Sequence, residues 1–219
     1  MAKTKGIIFD LDGVVVDTAR FHFMAWKHIA RKLAYPFSQQ ENERLKGISR
    51  VNSLEIILNL AKKELNQGEK EKLLVEKNEV YLTYINNLTR DDILPGISEL
   101  LEQAKSMQIK TAIGSSSKNA RHILEKLGLT SIFDAIVDGT DVVKSKPDPE
   151  VFAIGAEMLR VSNEECLVIE DAIAGIEAAQ TIGMKTIGIG QSNELKLADY
   201  KFSSLSELSP QLLLKIVAA

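Results

Sequence analysis

The sequence predicts an α/β fold: a parallel sheet core with a helical cap inserted after the first strand. Three observations lead there. Short apolar runs, "GIIF", "IKTAIG", "FDAIV", "CLVIE" and "KTIGIG", are each bounded by polar residues or glycine, and helical patterns lie between most of them. Such runs suit strands buried on both faces, and strand–helix alternation makes a parallel sheet. Between about Thr18 and Asp92 the alternation stops, and the chain reads as helix with no strand candidate. Pro95–Gly96, in "DDILPGISELL", then marks the return to the core.

In chain order, "GIIF" is the first strand and ends on Asp10 and Asp12. The periodic stretches "FHFMAWKHIARKLA", "VNSLEIILNLAKKEL" and "KEKLLVEKNEVYLTYINNL" are the cap helices. After "IKTAIG" and "FDAIV" comes a helix in "KPDPEVFAIGAEML". Asp148 is its expected cap, Pro149 fits its first turn, and Glu150 favours its positive end. "CLVIE" and "KTIGIG" complete the strand set. The expected division is a core of residues 1–16 and 93–219 with a cap of 17–92.

A net charge of −3 offers no basic field for nucleic acid, though a locally positive site can still take a small anion. The single cysteine, Cys166, excludes an intramolecular disulfide framework, and its apolar neighbours predict a buried structural thiol. "MAKTKG" runs into a strand without a signal-like apolar region, and no run reaches membrane-spanning length. The expectation is a soluble, cytoplasmic monomer that binds neither membrane nor nucleic acid.

Two aspartates beside each other cost free energy unless a cation, a proton or a reaction uses them. In a parallel sheet the carboxyl ends of the strands share one edge, where ligands bind. That edge would gather Asp10 and Asp12, then Ser115, Ser116, Ser117 and Lys118 from "GSSSKN". Lys146 from "KSKPDP", and Glu170 and Asp171 from "IED", complete it. Carboxylates without histidine or cysteine suit a hard cation, and Mg²⁺ is the natural choice. A cation, a lysine and hydroxyl donors around a nucleophile are what phosphoryl transfer needs.

"FDLDG", a serine closing the second core strand, "KPDP" and "ED" resemble, in order, the four motifs of the haloacid dehalogenase-like phosphotransferases. The likeness covers essentially the whole chain and implies a Rossmann-like core carrying a helical cap. It implies that Asp10 is the nucleophile forming an aspartyl phosphate and that Asp12 is the general acid/base. It further implies that Ser115 and Lys146 hold the transferring phosphoryl group. The metal set would be Asp10, the backbone carbonyl of Asp12, Glu170 and Asp171. Gly13 allows a tight turn close to a ligand.

"DTARFHFMAWKHIA" and "RLKGISRVNS" resemble the cap of the family's hexose-phosphate mutases, which interconvert β-glucose 1-phosphate and glucose 6-phosphate through β-glucose 1,6-bisphosphate. The matching positions are Thr18, His22, Trp26, Lys46, Gly47, Ser49, Arg50 and Ser53, with Lys77 in "EKNEVY". "SSSKN" matches the mutase core loop, where alanine often replaces Ser116. Arg50 with Ser117, Lys118 and Asn119 would grip the non-reacting phosphate. His22 and Lys46 are expected near Asp12. By pattern alone Lys46, Arg50 and Lys77 also read as solvated helix charges, and Trp26 as a packing residue of the cap. The alternative activity is a sugar-phosphate phosphatase, in which water attacks the same intermediate.

Overall fold

The run Gly6–Phe9 is buried at every position because it becomes β1, an inner strand of the sheet. The computed structural model describes residues 3–218. β1 (Gly6–Phe9) leads into four helices: α1 (Ala19–Lys32), α2 (Gln39–Glu43), α3 (Arg50–Leu60) and α4 (Gln67–Ile85). Then follow α5 (Ile97–Ser106), β2 (Lys110–Gly114), α6 (Ala120–Leu127), β3 (Ala135–Val137), α7 (Glu150–Leu159) and β4 (Cys166–Glu170). α8 (Ile173–Thr181), β5 (Lys185–Ile189), β6 (Tyr200–Phe202) and α9 (Pro210–Ala218) complete the described chain.

The strands form one parallel sheet in the order β3-β2-β1-β4-β5-β6. The chain moves outward from β1 to β3, then returns to start β4 on the other side of β1. The crevice of such a sheet opens where the order reverses, here between β1 and β4. Register makes the strand ends level, since Phe9 stands beside Ile113 on one side and Ile169 on the other. Asp10, Gly114 and Glu170 therefore leave the sheet side by side.

Alternation along each strand sends Ile7 and Phe9 to one face and Ile8 to the other. The first face joins Ile113, Leu167, Ile169 and Ile187 with residues of α5, α6 and α9. The second packs Ile8, Ala112 and Val168 against Phe152 of α7 and Ala178 of α8. The cap has a core of its own, in which Trp26 and Ile29 of α1 meet Leu54, Ile57 and Leu58 of α3. Each aliphatic side chain so buried is worth about 1.5–3 kcal/mol.

Two details differ from expectation. β6 is a sixth strand, paired with β5, that no apolar run announces, because "YKF" is a three-residue edge strand with half-buried side chains. The helix after "KPDP" begins at Glu150, with Pro149 at the cap position. Asp148 still accepts a hydrogen bond from the Glu150 N–H, at 3.1 Å. Cys166 is free and buried, and burial pushes its thiol up to about 12. No helix among the described residues is long and apolar enough to cross a membrane.

Candidate active site

At the core end of the site, Lys146 ties two strand ends together. Its ammonium lies 2.6 Å from Asp10 Oδ1 and 2.6 Å from Glu170 Oε1, with all three side chains buried. Burial works against the charge on Lys146, but the two carboxylates outweigh it and hold the lysine protonated. Glu170 Oε2 accepts the Ala172 N–H at 2.8 Å, which fixes the carboxylate where α8 begins.

Asp10, Glu170 and Asp171 each place a carboxylate oxygen within 4.8 Å of the others. Two ammonium groups, Lys146 on Asp10 and Glu170 and Lys46 on Asp171, do not balance this crowd. Burial raises Asp10 well above the usual carboxylate range; Lys146 opposes the rise, and Glu170, Asp12 and Asp171 add to it. Asp171 is pushed up to about 7 by burial and Glu170, against the pull of Lys46. Two glycines permit the crowding. A Cβ on Gly13, at φ +92°, would lie 2.3 Å from Asp171 Oδ2, and one on Gly175 would lie 1.9 Å from Glu170 Oε1. An all-oxygen donor set under this electrostatic stress fits a small divalent cation.

Asp12 belongs to a different network. The Thr18 hydroxyl donates to Asp12 Oδ1, and His22 Nε2 stands 3.7 Å from the same oxygen. Burial alone would raise Asp12, but His22 and Thr18 more than offset it and hold the carboxyl below its usual range. His22 Nδ1 in turn lies 3.0 Å from the Lys77 ammonium. With Nδ1 accepting there, the ring proton sits on Nε2, facing Asp12. Burial and the neighbouring Lys77 lower His22, so the ring is neutral at pH 7.

Lys77 is no solvated charge. It is 2% exposed, its ammonium 4.5 Å from the centre of the Tyr81 ring and 5.0 Å from that of Trp26. Burial, with Arg50 adding to it, pulls its pKa down to about 7. Arg50, at the start of α3, is partly buried, and no carboxylate among the described residues lies within ion-pair distance of it.

Between cap and core lies a cleft of about 840 Å³. On its walls the structure brings together Asp10, Asp12, His22, Trp26, Lys46, Gly47, Arg50, Ser53, Lys77, Ser115, Ser117, Lys118 and Asn119. Ser115 Oγ accepts the Ser117 N–H at 3.1 Å, and Ser117 Oγ accepts the Asn119 N–H at 3.2 Å, shaping a loop that ends at the start of α6. The first turn of that helix presents N–H groups suited to an anion.

Two placements differ from the sequence reading. Thr18 is fully buried and does not line the cleft; its hydroxyl donates to Asp12 instead. Lys46 reaches Asp171, 3.1 Å away, and Glu43, 3.0 Å away, rather than Asp12. Asp12's carboxylate stands outside the three-carboxylate group, in keeping with the reading that gave only its backbone carbonyl to a cation. Trp26 proves to be both cap core and cleft wall.

The sequence reading passed over four residues. Tyr81 has its ring 4.2 Å from His22, and burial raises its phenol well above the usual range. Asn78 accepts from Asn119 at 3.0 Å, linking α4 to the core loop. Asn42 lines the cleft with a buried, unpartnered Oδ1. Asp138, buried and paired with Arg121 at 3.1 Å, braces the loop behind Ser117. Lys77, Tyr81 and Ile85 form the buried stripe of α4 at four-residue spacing, so the periodicity held the clue.

Comparison with known proteins agrees with this geometry. A family model described as haloacid dehalogenase-like hydrolase matches residues 7–189. The chain is 48% identical over 211 residues to a β-phosphoglucomutase of Bacillus subtilis, covering 95% of this chain and 93% of that one. It is 33% identical to a phosphorylated carbohydrates phosphatase of Thermotoga maritima, covering 84% and 83%. The crystal structure of a β-phosphoglucomutase from Clostridium difficile superposes with a TM-score of 0.93 at 40% identity, over 98% and 97% of the two chains. With a family model matching most of its length and a relative 48% identical over 95% of it, the chain belongs to the haloacid dehalogenase-like hydrolase family.

Proposed function

We propose that this chain interconverts β-D-glucose 1-phosphate and D-glucose 6-phosphate through an aspartyl phosphate on Asp10 and β-glucose 1,6-bisphosphate. One observation carries the reading. A single cleft holds the buried Asp10 carboxylate of the core and Arg50 of the cap, which has no carboxylate partner among the described residues. That arrangement serves a substrate with two phosphates, one reacting and one merely held. A phosphatase acting on a monophosphate has no use for the second grip. The greater likeness to the Bacillus subtilis β-phosphoglucomutase than to the phosphorylated carbohydrates phosphatase of Thermotoga maritima supports the same choice.

Asp12, ionised in its present network, is set up first as a base. It takes the proton from a sugar hydroxyl, whose oxygen attacks the phosphorus on Asp10. The new P–O bond forms as the bond to Asp10 breaks, and Asp10 leaves as a carboxylate. With the bisphosphate reversed in the cleft, Asp10 attacks the other phosphate, and Asp12 returns its proton to the departing sugar oxygen. Ser115 and Lys146 hold the phosphoryl oxygens, while Arg50, Ser117, Lys118 and Asn119 hold the distal phosphate. Thr18, His22 and Lys77 orient Asp12. Trp26, Gly47 and Ser53 shape the sugar's side of the cleft, and Lys46 steadies the carboxylate edge. Mg²⁺, held by Asp10, the Asp12 carbonyl, Glu170 and Asp171, would neutralise charge on the transferring group.

The seated cap excludes water, and four contacts support that role: Lys46–Asp171, His22–Asp12, Asn78–Asn119 and Asn52–Ser145, the last at 3.4 Å. Core residues 1–16 and 93–219 with cap residues 17–92 are the division this mechanism uses. The test supplies β-glucose 1-phosphate, Mg²⁺ and a trace of the bisphosphate, and follows glucose 6-phosphate and inorganic phosphate together. Isomerisation should far outrun phosphate release; release at an equal or higher rate would assign the chain to the phosphatases.

A further inference from the structure

Beside the substrate cleft lies a second cavity of about 290 Å³, bordered by Gly13, Asp17, Asp171, Gly190, Ser203 and Ser204. The two cavities divide the carboxylate cluster between them. Asp10 and Asp12 line the cleft and Asp171 does not, whereas Asp171 lines the side cavity and Asp10 and Asp12 do not. Lys46, which lines both, stands where they meet, 3.1 Å from Asp171.

Their charges are opposite. Four cationic side chains, Lys46, Arg50, Lys118 and Lys144, and Lys77 with its pKa of about 7, line the cleft against three carboxylates. The side cavity offers Asp17 and Asp171 against Lys46 alone. Asp17, Ser203 and Ser204 are exposed, so this cavity opens to solvent past a carboxylate. A passage lined by one sign of charge concentrates ions of the other sign. The cleft accordingly draws in an anionic sugar phosphate and resists a divalent cation, and the side cavity does the reverse.

We propose that the side cavity is the port through which a divalent cation reaches and leaves the Asp10–Glu170–Asp171 group, separate from the cleft that admits substrate. The inference rests on the Mg²⁺ reading of that group. It gives Ser203, Ser204 and Asp17 a purpose that the phosphoryl-transfer scheme leaves vacant. It also explains how metal could exchange while the cap is seated and the cleft is filled.

A plug tests it. Ser204→Cys, labelled with a bulky methanethiosulfonate, narrows the port, and Val143→Cys, labelled likewise, loads the cleft rim, where Val143 is 92% exposed. The natural Cys166 is fully buried and escapes the reagent. Mn²⁺ association and dissociation are followed by stopped-flow competition with a fluorescent chelator, and equilibrium affinity by electron paramagnetic resonance. A block on the route alone slows entry and exit equally, so the Ser204 adduct should slow both by at least about tenfold with Kd unchanged. The Val143 adduct should leave both rates alone. Unchanged rates with Ser204 labelled, or slowed exchange with Val143 labelled, would overturn the port. Absence of Mn²⁺ binding by the unlabelled protein would instead overturn the Mg²⁺ reading beneath it. Ser203→Cys provides a second plug if the first variant fails to fold.

Discussion

Lys146 in the core and Lys77 in the cap are 1% and 2% exposed, and each has its ammonium near an aromatic ring. Their electrostatic surroundings are opposite. Lys146 touches two carboxylates, which hold it charged. Lys77 faces a neutral imidazole, with Arg50 as its near cation, and burial drags its pKa to about 7. Burying a charge is tolerable when it is paired and expensive when it is not. The core has thus assembled its charges before substrate arrives, whereas the cap keeps positive potential unspent until an anion enters. This is the division expected of a site whose core performs one constant chemistry and whose cap selects the substrate.

The largest effect should come from the nucleophile. Asp10→Asn removes the attacking carboxylate while leaving an oxygen for Lys146, so conversion of β-glucose 1-phosphate should vanish without loss of the fold. Acid-quenched enzyme should carry no phosphate on this variant, whereas the parent carries it. Residual turnover near the parent rate would remove Asp10 from the mechanism.

The two lysines can be set directly against each other. In metal-free protein at pH 7, Lys146→Met strands two buried carboxylates and should destabilise the fold by about 3–5 kcal/mol. Lys77→Met breaks no direct ion pair, because Asp12 keeps Thr18 and His22 as its partners, and its cost at that pH should be far smaller or reversed. The pH dependence makes the contrast sharper. Lys77 has a folded pKa of about 7 against 10.5 for a free lysine, so between these values the unfolded chain binds more protons. The penalty is full below pH 7, and stability recovers as pH rises toward 10.5, by up to about 1.4 kcal/mol per unit. Urea denaturation from pH 7 to 10 should show this rise in the parent and lack it in Lys77→Met. Parallel curves would show that Lys77 is not desolvated as the structure has it.

Arg50→Ala separates grip from chemistry. One charge-assisted contact to phosphate is worth about 1.5–3 kcal/mol, so the Michaelis constant for the bisphosphate should rise between roughly tenfold and a hundredfold. Phosphorylation of Asp10 by a small donor such as acetyl phosphate should keep its rate, because that donor has no distal phosphate. Equal loss in both assays would place Arg50 in the chemical step.

The same contrast explains what the sequence could reveal. Five strands were legible because "GIIF" and its partners are continuous apolar runs, each buried at most of its positions in the sheet. β6 escaped because an edge strand of three half-buried residues needs no such run. Asp10, Lys146 and Glu170 could be placed from sequence because β-strands carry them, or the loops just after, to one sheet edge. The cap's arrangement was less legible, since a lysine on a charge-rich helix looks solvated whether or not a tryptophan and a tyrosine cover it. Lys46 shows the limit most plainly. Its residue type and loop suited a charge near the reacting groups, but which carboxylate it meets depends on how the cap sits over β4's end.

Ser116 carries the smallest and most discriminating prediction. Its hydroxyl is buried without a hydrogen-bond partner, unlike the bonded Ser115 and Ser117 hydroxyls beside it. A buried hydroxyl left unbonded costs free energy, and alanine removes the group at little cost in packing. Ser116→Ala should therefore stabilise the substrate-free protein by up to about 1 kcal/mol, measured by chemical denaturation. It should leave the rate of isomerisation unchanged, because the proposed chemistry runs through Asp10, Ser115 and Lys146. A loss of about tenfold in rate, worth about 1.4 kcal/mol at the transition state, would show that this hydroxyl waits for a phosphoryl oxygen. The core would then share the cap's habit of holding a polar group in reserve for substrate.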